Sequence, residues 1–106
     1  MFDIESTTEE KVKVTASPGS AGGGPAPIDG ALRITVQSGD ATFTQDEAKP
    51  LEFYAVSAES AGVTDFLVEA DAKVGEGEVI ISEVVRYTYT GPQAANFGFS
   101  SSVEPK

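Results

Sequence analysis

Apolar residues in this chain recur at every second position in short runs, and glycine, proline, serine or aspartate ends each run before a helical period can build up. The clearest run is residues 64–72, where Phe66, Val68, Ala70 and Ala72 alternate against Asp65, Leu67, Glu69 and Asp71. Successive side chains of a strand point to opposite faces, so this run predicts a strand with one face in a core and one in water. Residues 11–16 set Val12, Val14 and Ala16 against Lys11, Lys13 and Thr15, and residues 31–37 set Leu32, Ile34 and Val36 against Arg33, Thr35 and Gln37.

The same reading extends along the chain. Residues 41–44 carry Phe43, and residues 51–58 are apolar on both sides, with Leu51, Phe53 and Ala55 opposite Tyr54 and Val56, which suits a central strand. Residues 78–90 are rich in Val, Ile, Tyr and Thr. There Val79 and Ile81 share a face with Val85, Tyr87 and Tyr89 only if Glu83 is tolerated between them, so the pattern predicts a bulge near Ser82 or Glu83. Phe97 and Phe99 offer a last strand after a turn over residues 93–96, and residues 45–50 are the one place suited to a short helical turn. Residues 17–30 hold Pro18, Gly19, Gly22, Gly23, Gly24, Pro25, Pro27 and Gly30 and read as a long loop. Residues 1–10 read as a flexible tail or weak edge strand, and residues 100–106 as a polar tail. About seven short strands in 106 residues predict a single all-β domain, an antiparallel β-sandwich with Greek-key connections.

Composition removes several functions. Seventeen acidic against seven basic residues give a net charge of −10, which repels phosphate backbones and anionic head groups, so neither nucleic acid nor a membrane surface is an expected partner. The chain has no cysteine and no histidine. It therefore has no disulfide, no thiol nucleophile, and neither the commonest general base nor the commonest zinc ligand. Its many serines have no histidine or Ser-x-x-Lys lysine to activate them, and residues 22–24 lack the Lys-Ser/Thr pair of a phosphate cradle. No apolar run of membrane-spanning length and no charged-then-apolar leader is present, so membrane insertion is not expected.

Three stretches resemble bacterial immunoglobulin-like domains, the tandem modules of adhesins, invasin-type surface proteins and phage structural proteins. They are Val12-Lys-Val-Thr-Ala-Ser-Pro18, which is similar to the first strand, Ile34-Thr-Val-Gln-Ser-Gly-Asp-Ala-Thr-Phe43, similar to a strand, turn and strand, and the stretch from Val56 to Ala72, where Ser60-Ala-Gly62 and the alternation after it are similar to a late turn and core strand. Together they cover about a third of the chain. The resemblance implies an immunoglobulin-like sandwich with a spacer, display or adhesive role. It further implies an extracellular, cell-surface or virion location, neighbouring domains in a longer chain, and a protein or cell-surface partner. It carries no catalytic residue, and no enzymatic activity is expected.

Two other site chemistries are open to these residues. Aromatic rings on a sheet face can stack on sugars or anchor a partner, and the candidates are Tyr54, Tyr87, Tyr89 and Phe97, with Phe99 beside them. Calcium needs six to eight oxygen ligands, and Asp71 with Glu76 and Glu78, or Asp40 with Asp46 and Glu47, could contribute some of them. Neither set matches an ordered calcium loop, so no cofactor is expected, with calcium as the alternative. Asp65, Glu69 and Asp71 lie on one strand face, where residues two apart such as Glu69 and Asp71 are about 6.8 Å apart, a spacing that suits a solvated acidic face better than a catalytic pair.

Overall fold

In the computed structural model, which describes residues 1–75, 77–92 and 97–106, each alternating run becomes a strand. The strands are β1 (Phe2–Thr7), β2 (Lys11–Thr15), β3 (Asp29–Ser38), β4 (Thr42–Thr44), β5 (Glu52–Val56), β6 (Gly62–Asp71) and β7 (Ile80–Thr90). They form a four-stranded sheet in the order β1-β7-β6-β3 and a three-stranded sheet in the order β2-β5-β4. No helix occurs among the described residues. The chain changes sheet between β1 and β2, β2 and β3, β3 and β4, and β5 and β6, which makes the connections Greek-key and the fold an immunoglobulin-like sandwich.

The predicted faces hold where two sheets oppose each other. Phe53 and Ala55 of β5, Thr64, Phe66 and Ala70 of β6, and Val85, Tyr87 and Tyr89 of β7 are buried, while their odd or even neighbours face outward. Phe66 joins the two sheets, meeting Phe43 edge-on at 6.2 Å between ring centroids and Phe53 at 6.1 Å. Thr64 is the one buried polar side chain among the described residues. Its Oγ1 accepts the Ala41 N–H at 3.0 Å and bonds the Tyr89 hydroxyl at 2.9 Å, so the polar group is fully used. Replacing Thr64 by Val preserves shape but strands both partners, and should cost about 2 kcal/mol. Urea unfolding checks this, and Thr64→Ser should recover most of the loss.

The structure corrects several expectations. The first residues form an edge strand, β1, and not a tail, but it pairs in parallel with β7 from Phe2↔Val85 to Thr7↔Thr90, so the sheet is mixed where antiparallel pairing was expected. No bulge interrupts β7 against β6, whose register runs unbroken from Gly62↔Tyr89 to Asp71↔Ile80. Glu83 and Ile81 do share the inward side with Val85. They stay exposed because β7 runs past the end of the three-stranded sheet. The register shifts lie instead in β3, between Asp29 and Arg33 and between Val36 and Ser38. Residues 45–50 make a turn, with the Lys49 N–H donating to the Asp46 carbonyl at 2.9 Å, and Phe97 and Phe99 are not in a strand. The loop predicted over residues 17–30 ends two residues early, where β3 starts at Asp29, and residues 17–28 are irregular apart from a small loop closed by the Ser20 N–H to Gly24 carbonyl bond and the Gly19 to Pro25 bridge.

Candidate functional site

The aromatic candidates fall into three environments. Tyr87 and Tyr89 are core residues, 0% and 2% exposed, and offer no ring face to a ligand. The odd positions of β7 face the opposing sheet, and the hydroxyls end in internal bonds: Tyr87 to Ser6 Oγ, and Tyr89 to Thr64. Tyr54 lies on the outer face of the three-stranded sheet, half-buried, with the Lys11 ammonium 4.5 Å from its ring centroid. That cation already occupies a ring face of the kind a sugar would use. Lys13 and Lys49 reach Glu52 on the same sheet, at 3.8 and 4.0 Å. Phe97 and Phe99 are each 88% exposed and stack on one another at 5.1 Å.

Among the described residues the acidic candidates are not brought together. Asp71 Oδ1 accepts the Lys73 N–H at 2.9 Å and the Val79 N–H at 3.0 Å, so it pins the loop between β6 and β7. Glu78 pairs with Arg33 at 3.5 Å, and Glu76 lies outside the described residues. Asp46 caps its own turn by accepting the Ala48 N–H at 2.9 Å. Among the described residues no group of three or more acidic side chains could hold a metal ion. Aspartates at strand ends commonly close turns this way, a signal already present in the sequence.

Several carboxylates are held below their usual range by the bonds they accept. Asp65 takes a two-pronged bond from Arg86, Nε to Oδ1 at 2.9 Å and Nη2 to Oδ2 at 3.1 Å, and that bond lowers its pKa. Asp71 is lowered by the Lys73 and Val79 amides, and Glu10 by the Thr7 amide and hydroxyl. A carboxylate with a lower pKa when folded contributes stability above its unfolded value, and loses it as pH falls through the folded one. Stability should therefore decline on acidification below about pH 4, the ordinary carboxylate range. Arg86→Ala should flatten the Asp65 part of that decline, read from urea midpoints across the acid range.

One surface feature had no single motif in the sequence. Where β7 and β6 overrun the three-stranded sheet, a groove of about 340 Å³ opens between the end of β2 and the four-stranded sheet. Ala16, Ile28, Leu32, Val68, Ala70 and Ile81 supply most of its apolar wall, and Glu83 stands at its rim. Ile81 in its wall is 50% exposed. Ile81 followed two residues later by Glu83 on the core side of β7 was its sequence trace.

β1 and β7 also fix where the chain enters and leaves. The Met1 ammonium lies 3.8 Å from Glu83, at the groove end of the sandwich. Thr90 lies opposite Thr7 at the other end, where its carbonyl accepts the Thr8 N–H at 2.8 Å. No protein-family model matches the chain, and no curated protein and no solved structure matches it either.

Proposed function

We propose that this chain is a non-catalytic structural or interaction module, a spacer, display or adhesion domain of a bacterial surface or phage protein that works outside the cell. The observation that carries the reading is the parallel pairing of the first and last strands. Parallel neighbours at the two termini put the start and the finish of the folded body at opposite poles. Six paired residues separate them by about 17 Å at the usual strand rise. A row of such modules extends with each link, whereas an antiparallel terminal pair would turn the row back on itself. The similarity of three stretches to bacterial immunoglobulin-like domains supports the same role, and so does the burial of Tyr87 and Tyr89 in the core.

Two copies joined in tandem test this reading. Small-angle scattering should give a maximum dimension near twice that of one copy, and a folded-back pair of similar length to one copy would sink it. Titration of the single domain with calcium and with a panel of polysaccharides, followed by NMR, addresses the alternative of a ligand-binding module. Unchanged shifts are expected. Localised shifts at Tyr54 or at Asp71 and Glu78 would favour that alternative.

A further inference from the structure

The outer faces of the two sheets carry opposite surpluses of charge. On the three-stranded sheet, the outward strand positions hold Lys11 and Lys13 of β2 and a single carboxylate, Glu52 of β5. Lys13 and Lys49 both reach that carboxylate, at 3.8 and 4.0 Å. Lys11 lies over the Tyr54 ring and has no ion pair among the described residues. Three lysines thus share one carboxylate, in a chain of net charge −10.

On the four-stranded sheet the surplus has the other sign. Asp3 and Glu5 of β1 and Asp65, Glu69 and Asp71 of β6 point outward, against Arg86 of β7 and Arg33 of β3. Both arginines are already taken: Arg86 holds Asp65 by two bonds, and Arg33 pairs with Glu78 at 3.5 Å. Asp3 lies cross-strand from Arg86 and Glu69 cross-strand from Arg33, yet among the described residues neither has an ion pair, and Glu5 has none. Each face also has an apolar centre. Tyr54 and Val56 are half-buried on one, and Leu67 and Val84, opposite each other in register, are half-buried on the other.

We propose that the domain binds a second copy of itself, laying the lysine face of its three-stranded sheet on the acidic face of its neighbour's four-stranded sheet. Charge complementarity selects this occupant, because one chain presents both halves of the match. The strand pitch suits it as well: Lys11 and Lys13 are about 6.8 Å apart, and so are Asp3 and Glu5. Two chains of net charge −10 repel each other overall, and the range of that repulsion decides the outcome. At about 0.1 M salt the screening length is about 10 Å, the spacing of two packed sheets, so acids on the far side of each sandwich are screened while facing charges in contact are not. The contact joins two different faces, so it does not close on itself, and it is lateral to the axis between the poles. It gives the interaction module proposed above its partner and rests on that reading.

Sedimentation velocity on the 106-residue chain tests it, from about 10 μM to about 1 mM, a range that brackets weak association. At about 0.1 M salt the wild-type sedimentation coefficient should rise with concentration, and at about 1 M, where screening acts within about 3 Å, it should not. Lys11→Gln/Lys13→Gln, which keeps the acidic face, should stay monomeric, as should Glu5→Lys/Glu69→Lys, which keeps the lysine face. An equimolar mixture of the two should recover a dimer and nothing larger, because only one productive contact remains. Lys73→Gln/Lys106→Gln changes the net charge as much as the first variant but lies off both faces, and should associate like the wild type. Far-UV circular dichroism confirms each fold. A wild type that stays monomeric, association that persists at about 1 M salt, face variants that associate like the wild type, a mixture that stays monomeric, or loss of association in the Lys73 and Lys106 control would each overturn the proposal. The dimension of linked tandem copies, measured at about 1 M salt where this contact is absent, is independent of it, so the two readings fail separately.

Discussion

Gly39→Ala should destabilise the domain by about 3 kcal/mol, the sum of roughly 1–2 kcal/mol for an L-residue in the left-handed region and 1–3 kcal/mol for forced overpacking. Gly39 has φ 102° and carries the chain from β3 across to β4. Its Cα lies against β6: a methyl group there would collide with Thr64 Oγ1 and the Val63 carbonyl oxygen, and would sit 2.6 Å from Thr64 Cα. The approach is this close because Ala41, two residues on, must deliver its N–H to Thr64 Oγ1. Gly75 supplies the control, since its φ is 103° and nothing lies within 4 Å of a methyl group placed there. Gly75→Ala should therefore cost only the conformational part, about 1 kcal/mol. For a domain whose total stability is about 5–15 kcal/mol, the Gly39 change should be plain in both urea and thermal unfolding. If the two variants prove equal, the collision at Thr64 contributes nothing, and the Ser38-Gly39-Asp40 turn relaxes more freely than its packing implies.

How far the sequence could lead depended on what each residue's environment is made of. The faces of β5 and β6 were legible because period-two alternation is a property of the strand itself: Phe53 and Ala55, then Phe66, Val68 and Ala70, fall inward wherever the strand is placed. The phase of β7 was harder, since Glu83 shares a side with Val85, Tyr87 and Tyr89. A bulge would have resolved the conflict locally. The fold resolves it by geometry, letting β7 continue past the end of the opposing sheet so that Glu83 keeps its side and remains in water. Where a partner sheet ends is set by β2, β5 and β4, and nothing within residues 78–90 encodes it.

Long-range pairing explains the other differences. The alternation of Phe2 and Ile4 marks an edge strand without naming its neighbour, and its parallel contact with β7 spans more than eighty positions of sequence, as Phe2↔Val85 shows. The same pairing buries Tyr87, because Ile4 and Ser6 come to lie beside the last strand on its inward side. The tyrosines thus moved from candidate platform to core for a reason that composition could not supply. For Asp71 the sequence did hold the answer, since an aspartate at a strand end bonds forward to backbone amides more often than it waits for a metal. The groove beside Ile81 needed both sheets in place before it could be seen.

Phe66→Ala is expected to cost about 3–5 kcal/mol, the range for removing a fully buried aromatic ring. The ring is 0% exposed and stands edge-on to Phe43 of β4 and Phe53 of β5, so its loss opens a void between the two sheets instead of at one side of the core. β4 should suffer most. It has three residues and one ladder, to β5, and its only aromatic anchor is Phe43. Hydrogen exchange in Phe66→Ala should therefore accelerate at the amides of Thr42 to Thr44 beyond the global loss, while β6 and β7, joined by ten register pairs, track the global value. A double-mutant cycle between Phe43→Ala and Phe66→Ala should return a coupling of about 0.5–1.5 kcal/mol, the usual worth of an aromatic pair beyond area burial. A coupling near zero would mean that β4 is held by its ladder to β5 alone. That edge of the three-stranded sheet would then owe its protection to shortness and not to packing.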